Sequence, residues 1–141
     1  MSGQKGMTVV ELVVIACIAI ILLLIAIPKF VEAVSKNKMW DGMTTLMTYE
    51  SAQLAYLAQS NKLGIIDSLV FQPDSSEYFS FSSDGIGKYK AIAKVKIGRF
   101  QKGHWLSTCI DTAGGMPRIR RSCAKGDSLT VKKYVSNFFN Y

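Results

Sequence analysis

A single carboxylate, Glu11, sits in an apolar run that reads MTVVELVVIACIAIILLLIAI from Met7 to Ile27 and holds no other charged side chain. As a helix, those 21 residues span about 31 Å, close to the roughly 30 Å of bilayer hydrocarbon. A carboxylate near mid-membrane costs on the order of 2.5–3.5 kcal/mol even on lenient insertion scales, so Glu11 needs a partner or a task. Just before the run, a short polar leader, Met1-Ser2-Gly3-Gln4-Lys5, ends in Gly6. Hydrolysis of the Gly6–Met7 bond would create an α-amine four residues before Glu11, in the same layer of the membrane. The chemistry on offer is processing followed by charge pairing.

The rest of the chain offers little for catalysis. His104 is the only histidine, beside Trp105, and reads as a surface or strand-edge residue rather than a base. Asp67, Asp74, Asp84, Asp111 and Asp127 are scattered, without paired carboxylates or calcium-loop spacing. No glycine loop leads into a helix in a phosphate-binding pattern. An enzyme is not expected, and neither is a cofactor. Cys17 lies in the apolar run, while Cys109 and Cys123 have 13 residues between them and no CxxC or histidine pair, which argues against zinc. If that region lies outside the cytoplasm, a Cys109–Cys123 disulfide is expected, worth roughly 3 kcal/mol in the chain-entropy model. In the cytosol the same residues would be two free thiols.

Seventeen Lys and Arg against ten Asp and Glu give a net charge of +7. Six cations (Arg118, Arg120, Arg121, Lys125, Lys132, Lys133) fall within one stretch with a single acid, Asp127, and Phe138, Phe139 and Tyr141 follow. Cations beside aromatics suit an anionic surface or DNA. The plainer reading is a solvated face, or charges that pair with neighbouring subunits.

Three ordinary readings of the N-terminus fit less well. A cleaved secretory signal has a 7–15-residue apolar stretch and a small-x-small cut site, whereas this run is longer and carries Glu11. A lipoprotein signal ending at Cys17 would turn polar there, but Ile18 to Ile27 remains apolar. A plain anchor leaves Glu11 and Gly6 unexplained. Residues 1–34 instead resemble type IV pilins and pilin-like proteins, in which Gly6-Met7-Thr8-Val9-Val10-Glu11-Leu12 matches the prepilin peptidase motif. The resemblance maps the family's glycine before the cut to Gly6, its methylated first residue to Met7 and its glutamate to Glu11. Its helix-kinking proline maps to Pro28, while Ile20 stands where many members carry glycine. It implies identical or homologous pilin subunits, a prepilin peptidase and inner-membrane assembly machinery as partners, and a surface filament as destination.

These residues must be carried by few elements. After a proline kink at Pro28, a stripe of Met39, Trp40, Met43, Leu46, Met47, Leu54 and Leu57 at helical spacing, interrupted at Glu50-Ser51, predicts an amphipathic helix that Asn61-Lys62-Leu63-Gly64 ends. Strands are expected at Tyr78–Ser82, Lys88–Ile97, Trp105–Ile110 and Leu129–Val135, with a turn at Gly114-Gly115-Met116-Pro117. In Lys88–Ile97 the lysines Lys88, Lys90, Lys94 and Lys96 share one face. The expected organisation is a leader (1–6), a transmembrane or filament-core helix (7–27), its amphipathic continuation (28–64) and a β-rich head (65–141). The class is α+β, a long helix packed on a small antiparallel sheet, with a disulfide-closed C-terminal loop.

Overall fold

The computed structural model describes residues 6–73, 76–124 and 126–139. The leader residues 1–5, Asp74, Lys125 and Tyr141 lie outside the described residues. The elements are α1 (Val9–Ser60), a 3-10 turn (Ile66–Ser68), β1 (Phe79–Ser83), β2 (Lys88–Ala93), β3 (Trp105–Asp111), β4 (Arg118–Cys123) and α2 (Ser128–Tyr134). The fold is α+β: a long N-terminal helix packs on a four-stranded antiparallel sheet of order β1-β2-β3-β4.

The chain divides into two compact units, one ending at Val34 and one beginning at Ser35, so the boundary falls inside α1. In the first unit every Val, Leu, Ile and Phe from Val9 to Val31 is more than half exposed. A helix apolar on all sides with nothing covering it is built for an apolar solvent or for packing against its own kind. By length and composition it can cross a membrane. Helical assignment continues on both sides of Pro28.

In the second unit α1 buries Ser35, Met39, Gly42, Met43, Leu46, Tyr49, Glu50 and Gln53. Met39, Met43 and Leu46 follow the expected stripe, Trp40, also assigned to it, is exposed, and the buried face then continues on residues that look polar in sequence. Leu54 and Leu57, assigned to the stripe, are only half-buried. Gly42 lets β1 approach, since a Cβ there would meet the Phe79 ring at 2.9 Å. The ring of Tyr49 stacks on Tyr89 of β2 at 4.6 Å, and Phe71 stands edge-on to both. The helix stops at Ser60, where Asn61 adopts φ 54 and donates its N–H to the Leu57 carbonyl. Gly64, expected as the stop, instead exchanges two hydrogen bonds with the buried Gln53 amide, which also donates to the Tyr49 hydroxyl.

Three expectations about the strands need correction. The β2 strand ends at Ala93, not Ile97: Ile97 pairs with Phe100 in a tight turn through Gly98, so Lys94 and Lys96 leave the expected lysine stripe. The segment expected as a strand at Leu129–Val135 lies mostly in the short helix α2, whose Val131 and Tyr134 enter the core. The fourth strand is instead β4, formed by the basic segment Arg118–Cys123 after the glycine turn.

Candidate functional site

Two places carry the residues singled out by sequence. The first is the start of α1. Gly6 and Met7 are exposed and non-helical, and a Cβ at Gly6 would meet nothing within 4 Å. Thr8 caps the helix: its N–H donates to Glu11 Oε2 at 2.8 Å, its hydroxyl donates to the same oxygen at 3.1 Å, and the Glu11 N–H donates to Thr8 Oγ1 at 3.3 Å. This is a capping box, Thr-x-x-Glu, satisfying helix-end donors from both directions. Glu11 thus stands in the first turn of the apolar helix rather than mid-span, where the helix dipole also favours a negative charge by about 0.3–1 kcal/mol. The spacing Thr8-Val9-Val10-Glu11 is the sequence signal of this cap.

The second place is the sheet, which separates the basic cluster. Residues on the inner face are Tyr89, Ala91, Leu106, Thr108, Ile110, Ile119, Arg121 and Cys123; their partners in register alternate with the outer set. Arg118 and Arg120 are exposed on the outer face, with Lys88 and Lys90 of β2 two strands away. Lys90 bridges to Asp84 at 2.5 Å and lies over the Trp105 ring at 5.5 Å. Lys132 and Lys133 belong to α2, and Lys125 is outside the described residues.

Arg121 is the exception, and its assignment to an anion-binding surface is wrong. It is 9% exposed and faces Glu50, 3% exposed, from β4 across to α1. Its Nε donates to Glu50 Oε1 at 2.8 Å and its NH2 to Oε2 at 2.5 Å, a bidentate fork. Thr108 Oγ1 donates to the same Oε1 at 2.5 Å, and Arg121 NH1 donates to the Phe138 carbonyl at 3.2 Å. The guanidinium therefore joins β4 to α1 and to the C-terminal segment, and the Glu50 carboxylate adds β3 through Thr108.

The disulfide expectation is likewise corrected: Cys109 and Cys123 are free. Cys123 pairs with Leu106, three residues before Cys109, so the thiols sit on opposite faces of the sheet. Three residues of rise add about 10 Å along the strand, well beyond the roughly 7 Å Cα limit for a bridge. Burial pushes the Cys123 thiol above the ordinary range, with Asp127 adding to it. His104 Nδ1 contacts the buried Asp127 carboxylate at the start of α2, which gives this histidine a structural partner. Among the described residues, no group of three His, Cys, Asp or Glu could hold a metal ion.

Comparison of this chain with models of protein families, with curated proteins and with solved structures finds no match.

Proposed function

We propose that this protein is a structural subunit of a type IV pilus-like filament. The observation that carries the reading is the combination at the start of α1: an exposed Gly6–Met7 bond, Glu11 in the first turn, and an apolar helix whose Val, Leu and Ile side chains are more than half exposed among the described residues. A membrane peptidase would cut after Gly6 and methylate the Met7 amine. Subunits would then leave the inner membrane by packing their apolar helices into a filament core, bound for the cell surface. In that core the Met7 amine of one subunit would pair with Glu11 of its neighbour, because an unpartnered carboxylate among apolar helices is heavily penalised. Glu11 would thereby select the register of assembly, with Pro28 allowing the helix to bend.

The capping box supplies a sharp test. Glu11→Gln keeps the cap, since glutamine serves in a capping box as glutamate does, but removes the charge. If Glu11 selects register by charge, Glu11→Gln and Glu11→Ala are both cut and membrane-inserted yet absent from sheared surface filaments. Thr8→Val, which loses only the cap's side-chain bonds, still assembles. Normal filaments from Glu11→Gln would refute the charge-pairing role. N-terminal mass spectrometry of the same material reads the class: methylated Met7 in filaments supports a pilin, while a minor pilin or secretion-system pseudopilin carries methylated Met7 but is scarce there. An intact Met1 or Ser2 supports a permanently anchored protein that never polymerises.

A further inference from the structure

The sheet has two edges, β1 and β4, and β1 is the one left unprotected. From Phe79 to Ser83 it has no charged side chain and no proline, and its register with β2 runs without a bulge. Charges, prolines and bulges are the ordinary devices that keep an edge from pairing with another chain. The free backbone groups of β1 can be read from its ladder. The Lys94 N–H donates to the Tyr78 carbonyl at 2.8 Å, and the Asp84 N–H to the Lys88 carbonyl at 3.2 Å. Hydrogen-bonded pairs alternate along an antiparallel ladder, so Ser80 and Ser82 also bond to β2, opposite Ile92 and Lys90. Phe79, Phe81 and Ser83 therefore turn their backbone groups away from β2. The Phe79 N–H is already taken by Ser76 Oγ at 3.0 Å. Along the chain there follow the Phe79 carbonyl, the Phe81 N–H, the Phe81 carbonyl and the Ser83 N–H, without a partner among the described residues. Acceptor, donor, acceptor, donor is its own complement when reversed. The Ser83 carbonyl falls outside this set, because its counterpart across a two-fold at Phe81 is the occupied Phe79 N–H.

We propose that β1 pairs antiparallel with β1 of a second copy about a two-fold axis at Phe81, joining two heads through one continuous sheet. In that register each free donor meets a free acceptor: Phe81 exchanges both bonds with its counterpart, and each Ser83 N–H reaches the other copy's Phe79 carbonyl. Phe81, half-buried on the inner face with its ring 6.2 Å from that of Tyr89, meets its own counterpart across the axis. On the outer face Ser80 stands opposite the second copy's Ser82, so no like charges oppose one another. The other edge fits less well. Exposed Arg118 and Arg120 on β4 repel a second β4. Pairing of β1 with β4 of another copy leaves an edge open at each end, and such head-to-tail addition does not close. Four backbone bonds and one aromatic pair predict a weak contact, with Kd on the order of 0.2 mM. This inference is independent of filament assembly.

The test follows the amide NMR spectrum of the full chain, labelled with nitrogen-15 in micelles of an uncharged detergent, as its concentration rises. The Phe81 and Ser83 amides should shift with a midpoint of about 0.2 mM. The Arg121 and Cys123 amides, which face outward from β4, should stay in place. Ser80→Lys/Ser82→Lys sets lysines against each other at two cross-strand positions and should weaken the contact about two- to thirtyfold. Ser80→Glu/Ser82→Glu should do the same, and an equimolar mixture of the two should associate more tightly than wild type. Both serines are exposed, and the spectrum of each variant at low concentration checks its fold. No shift at about 1 mM overturns the proposal, as does an unchanged midpoint in the lysine variant. Tighter association of the glutamate variant alone, with the Arg121 and Cys123 amides moving, would overturn it in favour of β1 against β4. Register is read by mild oxidation of Ser80→Cys mixed with Ser82→Cys, with the bridged peptides identified by mass spectrometry. The mixture should bridge these positions at least about tenfold faster than either variant alone, because opposed residues lie about 4.5 Å apart between Cα atoms, whereas the unmixed pairs are offset by about 7 Å along the strand. Equal rates would overturn the two-fold at Phe81.

Discussion

Removing the guanidinium of Arg121 should cost more stability than any other single charge change in the head. Arg121→Met keeps the length of the side chain but leaves Glu50, 3% exposed, with Thr108 as its remaining partner. It also strips a donor from the Phe138 carbonyl. Breaking a buried ion pair from one side costs about 3–5 kcal/mol, because the stranded charge cannot recover its hydration. The unit that begins at Ser35 has 107 residues (35 through 141). At about 2.1 cal/mol/K per residue its unfolding entropy is about 225 cal/mol/K, so the cost appears as a fall in Tm of about 13–22 °C. Near-UV circular dichroism of the full chain in micelles reads this unit selectively, since every Trp and Tyr lies from Trp40 onward. Replacing both partners, Glu50→Leu with Arg121→Met, should recover much of the loss. The remainder, about 1–3 kcal/mol, reflects the Thr108 hydroxyl left without its acceptor and should shrink further with Thr108→Val. The double-mutant coupling would then be about 3 kcal/mol or more. A fall below about 5 °C for Arg121→Met would refute the reasoning, as would a double variant as unstable as the sum of its singles.

Three more outcomes are expected. Reductant should leave the Tm of the head unchanged, where loss of a bridge between Cys109 and Cys123 would cost roughly 3 kcal/mol. Peptide mapping after iodoacetamide should find Cys109 on the outer face labelled before Cys123, whose thiol burial holds largely protonated at mildly alkaline pH. Burial also raises the Tyr49 and Tyr89 hydroxyls above the ordinary tyrosine range, in both cases as the largest cause. The folded state therefore keeps protons that the unfolded chain releases from about pH 10, so stability falls as pH rises above that value. Tyrosinate absorbance should show these two titrating late, and Tyr49→Phe/Tyr89→Phe should flatten the alkaline loss.

What could be read from sequence was whatever followed a simple period. The long helix, β2 and β3 show as apolar spacings of three to four or of two, and Gly114-Gly115 marks the turn between β3 and β4. The β4 strand was hidden because its inward positions include Arg121, so Arg118–Cys123 reads as a charge cluster rather than an alternation. Its partner Glu50 looked like a break in the helical stripe for the same reason: each half of a buried ion pair is meaningless without the other, and 71 residues separate them. The α2 segment reads as a strand because Thr130 and Val131 favour strands locally, while tertiary packing of Val131, Tyr134 and Val135 decides the outcome. Alternation through Val95 and Ile97 overran the end of β2, where Gly98 with φ 60 turns the chain back under the Tyr134 hydroxyl. At the N-terminus the pattern is local, and the capping box gives Glu11 a role within its own helix.

The buried pair also sets how the head would bear load. The backbone hydrogen bonds of α1 are spent within the helix, so apart from the covalent link that leaves its C-terminal end, tension entering the head along it reaches the sheet through side chains. Met39, Met43, Leu46 and Tyr49 can slide gradually, since dispersion contacts re-form at the next position. The fork from Glu50 to Arg121 cannot, because it fails within about an ångström of extension. Its far end is β4, the edge strand, tied to the sheet by one neighbour. Arg121 thus acts as a rivet set in the outermost plank: under shear, the β3–β4 hairpin would take the force first, and the rest of the sheet would be shielded until it gave way.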